Sequence, residues 1–314
     1  MTIQNMKTLA FSNGEAVPQF GLGTWLSKPN EVYDAVIEAV KAGYRHIDCA
    51  YIYKNEKEIG SALKFAFETG LVKREELFIT SKLWNSFHQP EVVEEAVRKS
   101  LEDLQLEYLD LYLMHWPLAF KKEQAQSAED LYSLEDMPLV KTYKAMVELK
   151  EKGLVKHVGV SNFSIKKLKM LMEAGLKPEM NQIEIHPYFK QDELIQFCQE
   201  NDILVTAYSP LGSRHLMTNE ESITKNPAIL EIAQKHNCTP AQAVLAWGMN
   251  CGVCVIPKSV NADRIKENYG ANGVQLDEED MNKIARLNRN LRNAKGLYAV
   301  LPGGPYTYEN LWDE

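Results

Sequence analysis

Short runs of β-branched and apolar residues alternate along nearly the whole chain with amphipathic segments of about 10–15 residues, the pattern of repeated βα units. Candidate core strands lie at 20–23, 46–50, 78–82, 109–115, 157–161, 180–185, 204–208 and 253–257. The helices between them have legible starts. Pro90 opens the run to Leu104, Ser164 is placed to cap the run to Ala174, and Asn226-Pro227 begins the run to Lys235. Thr239-Pro240 starts another run, ending near Met249, so two helices separate the seventh and eighth strands. Asp277, followed by Asp280, caps an additional helix near the C-terminus.

Eight βα units with right-handed crossovers can close on themselves, which removes edge strands. The expected fold class is therefore α/β, a (β/α)8 TIM barrel formed by residues 1–314 as one domain. Asn13-Gly14 between apolar residues reads as a β-hairpin turn, and that hairpin would plug the N-terminal mouth of the barrel. A doubly wound open sheet is the alternative. It is disfavoured because Gly21-Leu-Gly23-Thr-Trp-Leu stops after two glycines, short of a dinucleotide-binding fingerprint.

Composition changes this picture little. The chain is 45% hydrophobic and 25% charged, ordinary for a globular protein, and at 314 residues it needs no staples. A net charge of −8 argues against a nucleic-acid or anionic-membrane binder while permitting a local basic pocket. Cys251 and Cys254 have C-x-x-C spacing, but no second pair follows to complete a zinc site, and Cys-Gly-Val-Cys-Val-Ile-Pro leads into a strand rather than a helix. Small buried residues are the simpler reading. The first residues lack the apolar core of a signal peptide and no long apolar run follows, so a reduced, cytoplasmic protein without a membrane span is expected.

In a TIM barrel, chemistry gathers at the C-terminal ends of the strands. Strand two ends in Asp48 with Tyr53 in its loop, strand three in Lys82, and strand four in His115. A free phenol titrates near 10 and is a poor acid unless a cation stabilises its phenolate, which Lys82 can do. Asp48 supplies the counter-charge that a lysine in a barrel mouth requires. His115 can donate to a carbonyl oxygen. Together the four make a proton donor and an oxyanion site, which carbonyl reduction needs beside a hydride source. Each residue alone also has a plain structural use, as a helix cap or a packing group. Their joint placement on neighbouring strand ends is harder to explain that way.

A hydride source needs its own pocket. Lys258, Ser259 and Arg264 cluster at the last strand end and the next helix start, which suits an adenosine 2′-phosphate as well as a solvated helix terminus. Tyr208 can stack on a nicotinamide, with Ser161, Asn162 and Gln182 bonding its carboxamide. Gly212 would let the backbone approach a pyrophosphate.

At these residues the sequence resembles the aldo-keto reductase superfamily, nearly from end to end. Gly-Tyr-Arg-His-Ile-Asp-Cys-Ala-Tyr-Ile-Tyr-Lys-Asn-Glu (43–56), Leu-Tyr-Leu-Met-His-Trp-Pro (111–117) and Ile-Pro-Lys-Ser (256–259) look like three of its signatures, and the aldose and aldehyde reductase branch is the most similar. The resemblance implies an NADPH-binding barrel without a Rossmann domain, with Tyr53 as acid tuned by Lys82 and Asp48, and His115 orienting a small carbonyl substrate. It implies Ser161, Asn162, Gln182 and Tyr208 for the nicotinamide, and Ser209, Leu211 and Ser213 for the pyrophosphate. Lys258, Ser259 and Arg264 would take the 2′-phosphate, and Glu267 and Asn268 the adenine. Relatives that reduce steroid carbon–carbon double bonds carry glutamate at the position of His115, so a carbonyl is favoured.

The departures concern substrate. The loop at 118–137 is polar and short, that at 214–225 lacks tryptophan and implies a looser clasp on the cofactor, and the tail from 296 has no assignable pattern. Trp25, Ile52, Trp84 and Trp116 would form an apolar wall for aromatic or medium-chain aldehydes, each with core packing as the alternative. A monomer is expected. Two other classes compete: a Schiff-base aldolase using Lys82, and a barrel kept without catalysis. A metal-dependent hydrolase is disfavoured because none of the seven histidines forms an H-x-H pair.

Overall fold

The computed structural model describes residues 6–213 and 222–314. Its strands are β1 (Thr8–Ala10), β2 (Ala16–Pro18), β3 (Leu22–Gly23), β4 (His46–Asp48), β5 (Phe78–Leu83), β6 (Leu109–Met114), β7 (Ala119–Phe120), β8 (Leu131–Tyr132), β9 (Val155–Ser161), β10 (Met180–Glu184), β11 (Leu204–Tyr208) and β12 (Cys254–Val255). The helices are α1 (Val32–Ala42), α2 (Glu56–Glu68), α3 (Val93–Leu104), α4 (Leu139–Glu151), α5 (Ile165–Glu173), α6 (Asp192–Glu200), α7 (Pro227–Lys235), α8 (Pro240–Asn250), α9 (Ala262–Tyr269), α10 (Glu278–Ala285) and α11 (Tyr308–Trp312).

Eight parallel strands pair in the order β12-β11-β10-β9-β6-β5-β4-β3. Parallel bridges from Phe20 to Val255 and from Gly23 to Lys258 join the first strand region to the last, closing the (β/α)8 barrel. The outer strands are shorter than the apolar runs suggest because closure there rests on these isolated bridges. Apolar helix faces pack on the barrel's outer surface: Ile59 and Leu63 of α2, Val97 and Leu101 of α3, and Leu168 and Leu171 of α5 share one core with Ile47, Ile79 and Val160 of the strands. Gly60 permits α2 to touch α3, since a Cβ there would meet the Asp103 carbonyl oxygen at 2.3 Å.

β1 and β2 form the expected hairpin, with Asn13 Oδ1 accepting from Glu15 N and Gly14 at φ +86°. Its Phe11 and Val17 pack on Leu111, Leu113, Met180 and Cys254 and seal the barrel floor. The expected side-chain caps also form: Ser164, Asn226, Thr239 and Asp277 each accept from a backbone N–H in the first turn of α5, α7, α8 and α10. Cys251 ends α8 and Cys254 opens β12; all five cysteines are free.

The loop at 118–137 is more built than its polarity suggests. It contains the β7–β8 ribbon and buries Leu118, Phe120 and Leu131. The C-terminal segment returns over the same mouth. Buried Glu184, at the end of β10, accepts from the backbone of Asn293 and Ala294. Buried Lys167 holds α11 by donating to the carbonyls of Asn310 and Leu311 and to Asp313.

Candidate active site

The four residues expected to react meet at the C-terminal mouth. β4 delivers Asp48, and a single 3-10 turn (Tyr51–Tyr53) carries Tyr53 beside it. Thr24 fixes the carboxylate's backbone by donating to the Asp48 carbonyl at 2.7 Å, and Asn55 ties down Thr24 in turn. Lys82, on β5, is fully buried and its Nζ donates in three directions: to Asp48 Oδ1 at 2.5 Å, to the Cys49 carbonyl at 2.8 Å and to Tyr53 Oη at 3.3 Å. All three ammonium protons are therefore used. The His115 ring stands edge-on to Tyr53 with centroids 5.7 Å apart, and its Nδ1 is buried with no partner among the described residues.

The protonation states follow from burial. Tyr53 is pushed up to about 12, chiefly by desolvation, with Lys82 pulling the other way and Asp48 adding to the rise. Lysine proximity alone would bring the phenol down, as the sequence leads one to expect; in the folded mouth burial wins. Tyr53 therefore carries its proton at neutral pH, and Lys82 limits the cost of giving it up. Burial likewise favours the neutral amine of Lys82, but Asp48 and Tyr53 outweigh it and the ammonium is held. Burial and Lys82 push His115 well below the usual imidazole range, so the ring is neutral.

Ser161, Asn162, Gln182 and Tyr208 converge on the adjoining wall. Gln182 Nε2 donates to Asp48 Oδ2 at 2.7 Å, leaving Oε1 to accept. Asn162, at φ +64°, donates to the His115 carbonyl and accepts from Tyr208 Oη at 2.7 Å. Ser161 Oγ donates to the Gln182 carbonyl. This wall is bonded to itself, to Asp48 and to the His115 backbone, so the residues that would hold a carboxamide also position those two. Ser209 (φ +48°), Leu211, Gly212 (φ +70°) and Ser213 form a tight, half-buried turn just outside it. Of the loop expected to clasp a cofactor, 214–221 lies outside the described residues.

Lys258, Ser259 and Arg264 lie together at the start of α9, where Asn261 caps Arg264 N. Burial lowers the Lys258 ammonium, and Arg264 and Lys28 repel it further, only partly offset by Glu31. Lys28 is a third cation that sequence reading missed, because it reaches this spot from the loop after β3. Among the described residues none of the three forms an ion pair. Like charges crowded at a helix start fit a phosphate. Glu267 and buried Asn268 lie further along α9.

Trp84 and Trp116 are nearly buried and belong to an aromatic cluster with Phe120, Tyr306 and Trp312, against which Ile52 packs. Trp84 stands edge-on to His115 and lies parallel to Tyr298 of the C-terminal segment, centroids 6.2 Å apart. Trp25 is 44% exposed and outside this cluster. Tyr298 went unnoticed in the sequence because no periodicity marks a residue in an irregular tail.

The described residues hold no cluster suited to a metal and no helix long and apolar enough to cross a membrane. The family model for the aldo/keto reductase family matches residues 19–289. The chain belongs to the aldo/keto reductase family. It is 46% identical over 99% of its length, and 98% of the relative's, to "Aldo/keto reductase slr0942" of Synechocystis sp.. It is 47% identical to aldo-keto reductase family 1 member A1 of Bos taurus, covering 89% of this chain and 88% of that one. Among solved structures, the aldose reductase from Schistosoma japonicum superposes with a TM-score of 0.87 at 41% identity, covering 93% of this chain and 96% of the other. Members of this family are oxidoreductases that reduce small-molecule carbonyls with NAD(P)H.

Proposed function

We propose that the protein is an NADPH-dependent aldehyde and ketone reductase in which Tyr53 is the proton donor, Lys82 and Asp48 tune it, and His115 orients the carbonyl. The observation that carries this reading is the Lys82 ammonium held at once against Asp48 Oδ1 and Tyr53 Oη beside a neutral imidazole. NADPH, when bound, supplies the hydride. Tyr53 hands its proton to the developing alkoxide, and the adjacent ammonium stabilises the phenolate left behind. His115, neutral and buried, can donate to the carbonyl oxygen without competing as an acid. The Ser161, Asn162, Gln182 and Tyr208 wall would orient the nicotinamide, the Ser209–Ser213 turn would pass the pyrophosphate, and the Glu267 and Asn268 face the adenine. Lys258, Ser259 and Arg264, with Lys28, favour the 2′-phosphate and hence NADPH over NADH.

Trp84, Trp116 and Ile52 suit aromatic or medium-chain aldehydes, and Trp25 would meet them only at the rim. A Schiff-base role for Lys82 is disfavoured, since its electron pair is occupied by the proton that Asp48 stabilises. Five free cysteines suit a reducing, cytoplasmic setting, and we take the chain as a single-domain monomer. The test is NADPH oxidation across aromatic aldehydes, aldoses, methylglyoxal and ketosteroids. Turnover of aldehydes is expected; borohydride trapping of substrate on Lys82 with no NADPH oxidation would overturn the reading.

A further inference from the structure

One residue of the 118–137 loop touches both segments that carry the reactive groups. The Glu123 carbonyl accepts from Trp84 Nε1 at 2.7 Å, two residues after Lys82. Its carboxylate Oε2 accepts from Tyr51 Oη at 2.9 Å and from Lys54 Nζ at 2.7 Å, on either side of Tyr53. The Lys54 ammonium also lies 3.8 Å from the centre of the Tyr51 ring, and Tyr51 and Trp84 both belong to the aromatic wall. Lys54 is thus held at the edge of the substrate wall with its charge answered by Glu123. The nearby cations are otherwise engaged: Lys122 pairs with Asp130 at 2.8 Å, and Lys121 sits over the Tyr132 ring.

Resting on the carbonyl-reductase reading, we infer that Glu123 is a specificity-determining residue: by neutralising Lys54 it makes the mouth select uncharged aldehydes over aldehydes bearing a carboxylate. Without it, Lys54 would offer an anionic substrate a cation beside Trp84, whereas Arg292, over the Trp312 ring of the same cluster, is already paired with Glu314. The pair is about half exposed at both ends, so it contributes little to folding, and its effect on a substrate anion is correspondingly modest. The Trp84 contact uses the Glu123 backbone and survives a change of side chain.

The experiment compares benzaldehyde with 4-carboxybenzaldehyde, equal in shape at the aldehyde, in the full-length enzyme with NADPH. Wild type should favour benzaldehyde. Glu123→Gln should move the kcat/KM ratio about three- to fivefold towards the carboxylate, the upper range for an exposed charge pair, with the change in KM and erased by high salt. Lys54→Met should move the ratio the opposite way, because it leaves the Glu123 carboxylate unanswered, and the double variant should return to the wild-type ratio. An unmoved ratio in Glu123→Gln, or a gain that persists in the double variant, would overturn the inference while leaving carbonyl reduction intact. Failure of wild type to oxidise NADPH with either aldehyde would instead overturn the carbonyl reading, and the inference with it.

Discussion

Asp48 and Gln182 meet at 2.7 Å across the barrel, Gln182 Nε2 holding Oδ2 while Lys82 holds Oδ1. The carboxylate that anchors Lys82 is therefore also bonded to the wall expected to receive the nicotinamide. Both of its oxygens are used, and neither partner can move without disturbing the other.

Asp48→Asn should destabilise the protein by about 3–5 kcal/mol, because it leaves the Lys82 ammonium buried without its counter-charge. Lys82 titrates above its ordinary value in the fold, so its pairing stabilises the protein at neutral pH and is lost only as pH rises through that raised value. Denaturant unfolding of the variant should show the loss at neutral pH. A variant as stable as wild type would mean that the pair is not the net stabiliser the geometry implies.

Tyr53→Phe should lower kcat for reduction by about 10²–10⁴-fold while NADPH still quenches the protein's fluorescence. The wild-type phenol is pushed up to about 12, so it remains an acid throughout the range where the enzyme is handled. The kcat/KM profile should show no loss attributable to Tyr53 between about pH 6 and 9. A midpoint near neutrality that disappears in Tyr53→Phe would contradict the burial argument.

Arg264→Ala should weaken NADPH by about ten- to a hundredfold, the worth of one charge-assisted contact, and NADH hardly at all. The check is a pair of fluorescence titrations at fixed ionic strength. Equal losses for the two nucleotides would remove the 2′-phosphate from this corner.

Lys167→Met should release α11 by deleting the ammonium that binds Asn310, Leu311 and Asp313. Trp312, which stands against Trp116, then loses its support, and KM for an aromatic aldehyde should rise about tenfold with little change in NADPH affinity. Limited proteolysis should cut the tail faster than in wild type; an unchanged cleavage rate would show that α11 is held by its apolar face alone.

Gly60→Ala should cost about 1–3 kcal/mol, since the added methyl group meets the backbone of Asp103 and Leu104, which cannot swing aside as a side chain would. Thermal unfolding would report it, with activity at low temperature largely retained.

Much of this was legible in one dimension. Local chemistry announced itself: the caps at Ser164, Asn226, Thr239 and Asp277 and the turn at Asn13-Gly14 depend only on neighbours in sequence. The placement of Asp48, Lys82 and His115 followed from strand periodicity and the rule that barrels work at one end. The rest depended on distant contacts. Lys28 reaches α9, Glu123 reaches Trp84, and Tyr298 reaches the same ring only through irregular segments with no repeat to read. The balance on Tyr53 was hidden for another reason: the sequence names the lysine beside it but not the degree of burial opposing that lysine.

The barrel closes on itself beside a cluster of cations. The bridges Phe20–Val255 and Gly23–Lys258 join the first strand region to the last, Gln19 Nε2 donates across to the Met249 and Val253 carbonyls, and the loop after β3 and the start of α9 sit on either side of that seam. Lys28 comes from one bank and Lys258 and Arg264 from the other. A phosphate bound by all three would act as a clasp across the seam, so a nucleotide that binds only the closed form should raise the unfolding temperature in proportion to the logarithm of its concentration. Without that phosphate, Arg264 and Lys28 repel the Lys258 ammonium and Glu31 opposes them.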